Sequence, residues 1–129
     1  MKILVTGANG YLGQGIVNQL LEDHINVIAT DLRVDHINSK ATCIATDLFA
    51  VEDPYTFFQK PDAVLHLAWR DGFKLFSDAH MIDLSKHYFF IKKMLESGLK
   101  HLAVMGTMHE VGFYAGSINE NTPSHPQNL

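Results

Sequence analysis

The sequence predicts an α/β domain with a doubly wound parallel sheet of about five strands. Three observations predict it. Five apolar runs of four to six residues are spaced along the chain, four of them closed by a glycine, an Asp or a Gly-rich turn. Stretches with helical periodicity alternate with several of them. The first run passes into the first periodic stretch through three spaced glycines. Such alternation makes βαβ units, whose crossovers impose parallel strands and a sheet covered on both faces.

Ile3-Leu4-Val5-Thr6 is β-rich, is cut off by Gly7, and reads as a buried strand. Leu12, Ile16, Val17, Leu20 and Leu21 recur at helical spacing, which predicts a helix from Leu12 to His24. Val27 to Thr30, closed by Asp31, and Cys43 to Thr46, closed by Asp47, are the second and third strands. Val51 to Phe58 is a short helix in which Pro54 is tolerable only in the first turn. Ala63 to Ala68 is the fourth strand. Ser77 to Ser97 is a long helix carrying the stripe Met81, Leu84, Tyr88, Ile91 and Leu95, with Gly98 as its stop. Phe89 and Phe90 widen that stripe beyond one contact face. One part should cover the sheet, and the excess suits a partner helix, as an exposed apolar patch partly hidden by self-association. His101 to Met105 is the fifth strand. Beyond Gly106 the chain is loop-like, and Asn119 to Leu129 reads as a loop inside a larger domain.

With 129 residues, 47% of them hydrophobic, the chain suits one domain with one core. The formal net charge of −4, with Lys92-Lys93 as the longest basic run, argues against a nucleic-acid surface. The lone Cys43 excludes an internal disulfide and a cysteine-built zinc site. No histidine pair combines i,i+4 spacing with a nearby third ligand, so no metal is expected. No apolar run approaches the roughly 20 residues that span a bilayer. Lys2 to Val5 is too short for a signal peptide, and a cytoplasmic protein is expected.

Gly7, Gly10 and Gly13 lie between the first strand and the first helix, in Thr6-Gly7-Ala8-Asn9-Gly10-Tyr11-Leu12-Gly13. Gly7 permits a tight turn, Gly10 lets the backbone approach a pyrophosphate, and Gly13 lets the helix pack closely. The helix N-terminus then presents N–H groups and a positive dipole end to phosphate. This is the logic of a Rossmann-type dinucleotide site, with G-x-x-G-x-x-G in place of G-x-G-x-x-G. Asp31 follows Gly7 by 24 residues, near the separation of about 20 expected for a ribose-binding carboxylate. Its charge would repel the 2′-phosphate of NADP, so NAD is favoured; Arg33 nearby keeps NADP as the lesser alternative. Asp31 as a plain strand-end turn residue is the competing reading.

These residues resemble the extended short-chain dehydrogenase/reductases, and within them the NAD-dependent epimerase/dehydratases that act on nucleotide sugars. The resemblance spans nearly all of Lys2 to Pro126. It implies that Gly7, Asn9, Gly10, Tyr11, Leu12 and Gly13 form the cofactor loop and that Asp31 holds the ribose. It further implies that Asp47 and Leu48 hold the adenine, and that Leu67 and Ala68, after His66, pass the nicotinamide side. Thr107, in Met105-Gly106-Thr107, falls at the position of the active-site hydroxyl. Glu120-Asn121-Thr122-Pro123 and Pro126 match the loop leading to the family's catalytic Tyr-x-x-x-Lys. Self-association through the helix around Leu84 to Leu95 is implied as well, as a homodimer.

Two departures stand out. Where the family has Asn in the long helix, this sequence has Asp83, which cannot donate as an amide does when ionised. The Tyr-x-x-x-Lys expected shortly after Pro126 is read as missing from the whole chain, with none of Tyr11, Tyr55, Tyr88 and Tyr114 taken to have Lys four positions later. That pair is needed to move a proton as hydride moves, since the Lys lowers the phenol pKa. Residues 1–129 are therefore expected to be the incomplete NAD(P)-binding half of a nucleotide-sugar epimerase/dehydratase, lacking the pair and inactive alone. The alternative is a non-catalytic, regulatory or redox-sensing dinucleotide module. Among the remaining candidates, His66 reads as a core histidine and His109-Glu110 as loop residues, while Arg70 suits a phosphate or a surface role equally.

Overall fold

Five strands, β1 (Lys2–Thr6), β2 (Asn26–Asp31), β3 (Thr42–Ala45), β4 (Ala63–His66) and β5 (His101–Val104), form one parallel sheet in the order β3-β2-β1-β4-β5. The computed structural model describes residues 1–74 and 76–126; the end of the expected terminal loop, 127–129, lies outside them. The order reverses at β1, where one crossover goes to β2 and a later one returns to β4. Such a reversal leaves a crevice at the carboxyl edge, where ligands bind in open α/β sheets. The doubly wound expectation is borne out.

Strand pleating sends alternate residues of β1 to opposite faces. Ile3 and Val5 pack with Val17 of α1 (Tyr11–Glu22), Val27 and Ala29 on one face. Leu4 packs with Ile28, Val64, Phe58, Phe90 and Met94 on the other, under α2 (Pro54–Phe57) and α3 (Ala79–Glu96). Each fully buried aliphatic side chain contributes about 1.5–3 kcal/mol, so β1, enclosed on both sides, is the centre of the core.

Local chemistry sets the ends. Pro54 starts α2 at its first helical position, and the Asp53 carboxylate accepts from Thr56 N at 3.1 Å. Gly98, at φ 113°, ends α3: Gly98 N donates to Leu95 O and Leu99 N to Met94 O, both at 3.1 Å. This is a Schellman stop, as the glycine predicts. Strand β4 ends two residues earlier than expected: Leu67 N is shared between the Thr6 carbonyl and the Thr6 hydroxyl, and Ala68 N turns to the hydroxyl alone, each at 3.2 Å.

The stripe on α3 requires a correction. The sheet-facing residues are Asp83, His87, Phe90 and Met94. Met81, Leu84, Tyr88 and Leu95 are exposed. Polar Asp83 and His87 can occupy the inner face because each is bonded: Asp83 to the half-exposed Arg70 and Lys86 at the rim, His87 to buried His66. The expected apolar patch exists, widened by Ile82 and Phe89. Among the described residues no helix is long and apolar enough to cross a membrane.

Candidate active site

The glycine loop is built by collisions that only glycine avoids. Gly7 has φ +66°, and a Cβ there would lie 2.7 Å from Ala68 N. A Cβ on Gly13 would overlap the Gly7 carbonyl oxygen and stand 2.6 Å from Ala8 Cα. Gly13 thus seats the helix on the loop itself rather than on the sheet at large. Gly10 differs: a Cβ there would meet only the Gly7 carbonyl oxygen, at 3.2 Å, with open space beyond. Gly10 also caps α1 without a side-chain bond, and no acidic residue stands in the first turn. The helix's first N–H groups and positive end therefore face a cradle that suits a phosphate.

Asn9 and Asp31 lock this loop to β2. The Asp31 carboxylate accepts from Asn9 N at 3.0 Å and from Leu32 N at 2.7 Å. The Asn9 side chain accepts from His36 N at 2.9 Å and donates to Asp35 at 3.3 Å, and its carbonyl accepts from Gln14 Nε2 at 2.7 Å. A carboxylate oxygen has two acceptor positions, so Asp31 retains capacity for ribose hydroxyls. Arg33 is exposed on the following loop. Tyr11 and Leu12 project outward from the start of α1, and Leu12 lines the cavity described below. At the end of β3, the exposed Asp47 caps a 3-10 turn, Leu48–Ala50, by accepting from Phe49 N at 3.0 Å. The Leu48 side chain is buried in the core, so only its backbone can meet a ligand.

A cavity of about 770 Å³ opens on the other side of the switch point, at the ends of β4 and β5 under α3. Leu67, Ala68, His87, Tyr88 and Thr107 line it, with Trp69 and Leu84 among the apolar walls. Thr107 also has a local role. Its hydroxyl accepts from His109 N at 3.2 Å, while the Glu110 carboxylate accepts from Thr107 N at 2.8 Å. This is a reciprocal cap on the turn Met108–Glu110. Among the described residues the hydroxyl proton has no acceptor, so it can donate to a ligand.

Sequence reasoning placed His66 in the core and missed its partner. His66 Nδ1 lies 2.8 Å from the Thr6 hydroxyl, and its Nε2 lies 2.8 Å from His87 Nδ1. Burial, and then the neighbouring His87, push the His66 imidazole down to about 4. Burial also lowers His87, with Asp83 opposing and Lys86 assisting. Residues 21 apart in sequence give no spacing signal for such a pair. Asp83 is a paired carboxylate, 2.7 Å from Lys86 and 2.8 Å from Arg70. The hydrogen bond from Lys86 holds it below its ordinary value, burial opposes, and Arg70 assists. Arg70 therefore acts as a clasp between the loop after β4 and α3.

One sequence expectation is wrong. Tyr88-Phe89-Phe90-Ile91-Lys92 does have Tyr-x-x-x-Lys spacing, so the chain does not lack that pattern. It lies on α3, not after Pro126. Tyr88 lines the cavity, whereas Lys92 pairs with Glu96 at 3.8 Å. Among the described residues no three His, Cys, Asp or Glu side chains gather to hold a metal.

A switch-point crevice, a glycine cradle and an adjacent strand-end carboxylate mark a Rossmann-type α/β protein. The chain belongs to the NAD dependent epimerase/dehydratase family, whose model matches residues 3–129. It is 41% identical, over 133 aligned positions covering 99% of its length, to dTDP-6-deoxy-L-talose 4-dehydrogenase (NAD(+)) of Aggregatibacter actinomycetemcomitans, of which it spans 49%. It thus has about half the length of that relative. Its fold is shared with UDP-glucose 4-epimerase of Thermotoga maritima (TM-score 0.82, 23% identity, 99% of this chain and 46% of that one). The UDP-glucose 4-epimerase of Thermus thermophilus, in complex with NAD, is similar as well (TM-score 0.80, 21% identity, 99% and 45%).

Proposed function

We propose that this chain binds NAD along the carboxyl edge of its sheet, as the cofactor half of an enzyme performing hydride chemistry on a nucleotide sugar. The carrying observation is the open cradle at Gly10, held by Asn9 to the Asp31 carboxylate. In this reading the pyrophosphate lies over Gly7, Gly10 and the start of α1. The ribose hydroxyls meet Asp31, and the adenine lies toward Asp47 and the Leu48 backbone. The other half of the cofactor enters the cavity past Leu12, Leu67 and Ala68. Bound NAD would supply a hydride acceptor and donor; the protein contributes binding, orientation and proton handling. Thr107 is the candidate donor to the reacting sugar oxygen. A nucleotide sugar as substrate is supported by the family and by the named relatives. Tyr88 and Lys92 are not assigned the proton-transferring role, since among the described residues the contact Lys92 makes is a loose, exposed one with Glu96 at 3.8 Å and not one with the Tyr88 hydroxyl. We therefore read this chain alone as competent to bind cofactor and not to turn over sugar. The exposed face of α3 is read as a self-association surface.

Calorimetric titration with NAD and, separately, NADP tests the reading. Tighter binding of NAD, lost in Asp31→Ala, is expected. Preference for NADP would transfer the ribose-end role to Arg33. A folded protein that binds neither would refute the dinucleotide site.

A further inference from the structure

The Thr6–His66–His87 chain has a direction, fixed by the backbone. The Thr6 hydroxyl oxygen accepts from Ala68 N and from Leu67 N, the latter N–H shared with the Thr6 backbone carbonyl, each at 3.2 Å. Both its lone pairs are then taken, so its own proton must go to His66 Nδ1. His66 Nδ1 is thereby the acceptor, and the ring's proton sits on Nε2. That proton is donated to His87 Nδ1, which leaves the His87 proton on its own Nε2. Among the described residues Nε2 of His87 has no hydrogen-bond partner, yet no buried side-chain nitrogen or oxygen is left without one. It is therefore open to the cavity that His87 lines. The ring plane is held as well: Trp69 stacks on it at 5.2 Å and 29°, and Phe49 meets it edge-on at 4.7 Å. The other buried histidine, His66, has both nitrogens engaged, and His80 Nε2 lies against the Asp71 carbonyl at 3.2 Å.

We propose that the Nε2–H of His87 is a fixed hydrogen-bond donor to the carboxamide carbonyl oxygen of the nicotinamide half of the dinucleotide. The inference rests on the NAD reading above, and it assigns a cofactor-end contact to a residue of α3. The ligand chemistry fits in two respects. A carboxamide carbonyl needs one donor at a defined place, and a donor preset by the Thr6–His66–His87 chain binds without reordering. The oxidised nicotinamide ring is cationic, so a neutral imidazole beside it is tolerated where an imidazolium would repel it. The pushed-down values of His66 and His87 keep both rings neutral near pH 7.

Two measurements on the full protein test the proposal. Long-range proton–nitrogen correlation on histidine-labelled protein reads the tautomers directly. His66 and His87 should both carry the proton on Nε2, and NAD should move the His87 Nε2 resonance while ADP-ribose, which lacks the nicotinamide, does not. A proton on Nδ1 of His87, or an unmoved resonance with NAD bound, would overturn the proposal and leave the NAD reading intact. Failure of the wild-type protein to bind either ligand would overturn both. Next, His87→Leu should weaken NAD by about tenfold and leave ADP-ribose unchanged, and His87→Gln, which keeps an N–H near the Nε2 position, should restore most of the loss. Equal weakening of both ligands, or no recovery with Gln, would make His87 a packing residue only.

Discussion

Lowering the pH should destabilise this protein in a window that belongs to its buried histidines. His66 is 3% exposed, and its imidazole is pushed from 6.5 to about 4 in the folded state. The unfolded chain therefore holds that proton more tightly than the folded one. The contribution is fully present above about pH 6.5, is lost as pH falls, and levels off near about pH 4. At 1.36 kcal/mol per unit, the loss is about 3 kcal/mol, a large part of the 5–15 kcal/mol typical of a domain. His87 shifts the same way and adds to it. The carboxylates do not blur the window. Asp35, Asp53, Asp71 and Asp83 are all lowered from 3.8, so their contributions begin to fall only near about pH 5 and are lost mostly below 3.8, overlapping the histidine window at its acid end alone. Urea unfolding followed by circular dichroism from about pH 7 to about pH 4 reads the loss directly. His66→Gln keeps an amide for His87 and removes the titration, so its profile should be much flatter. A wild-type stability that is level across this range, or a His66→Gln profile just as steep, would refute the buried, uncharged relay.

Two further outcomes follow from the site and the surface. Gly13→Ala places a Cβ against backbone that cannot rotate away, so it should cost about 1–3 kcal/mol in unfolding free energy, whereas Gly10→Ala should leave stability within about 1 kcal/mol and abolish NAD binding; equal melting shifts for the two would contradict the cradle. If the exposed face of α3 is covered by a second copy, Leu84→Glu with Leu95→Glu should lower the mass seen by sedimentation equilibrium to that of one chain. An unchanged mass would remove that face from any self-association.

Local signals made most of the framework legible. Gly7 and Gly13 marked the first turn because a Cβ on either would collide with backbone adjacent in the loop or at the end of β4, and Gly10 because the space beside it is open. Gly98 marked the end of α3 because a left-handed residue is a local requirement. The inward face of α3 was not legible. Hydrophobicity selects Leu84, Tyr88 and Leu95, but the inner positions are occupied by Asp83 and His87. What admits them is tertiary: Arg70 from the loop after β4, and His66 from β4 itself. The cap at Thr107 was present in the sequence as T-x-x-E, a signal for a turn start that a functional reading of the threonine passes over.

The Thr6 hydroxyl ties the two halves of the site together. Its oxygen holds the turn at Leu67 and Ala68, and Ala68 is the backbone against which Gly7 closes. Its proton sets the orientation of two imidazoles and so the donor presented by His87. A buried hydroxyl at the end of a central strand is costly unless satisfied, and here all its bonding capacity is used. The resulting division of the sheet edge is chemical as well as geometric. The β2–β3 side presents carboxylates, Asp31 and Asp47, suited to hydroxyl donors. The β4–β5 side presents apolar walls with N–H and O–H donors at His87 and Thr107, suited to a carbonyl, and the Glu110 carboxylate that also lines it is bonded to Thr107 N. A ligand with hydroxyls at one end, phosphates at the middle and an amide-bearing ring at the other matches that sequence of chemistries in one orientation only.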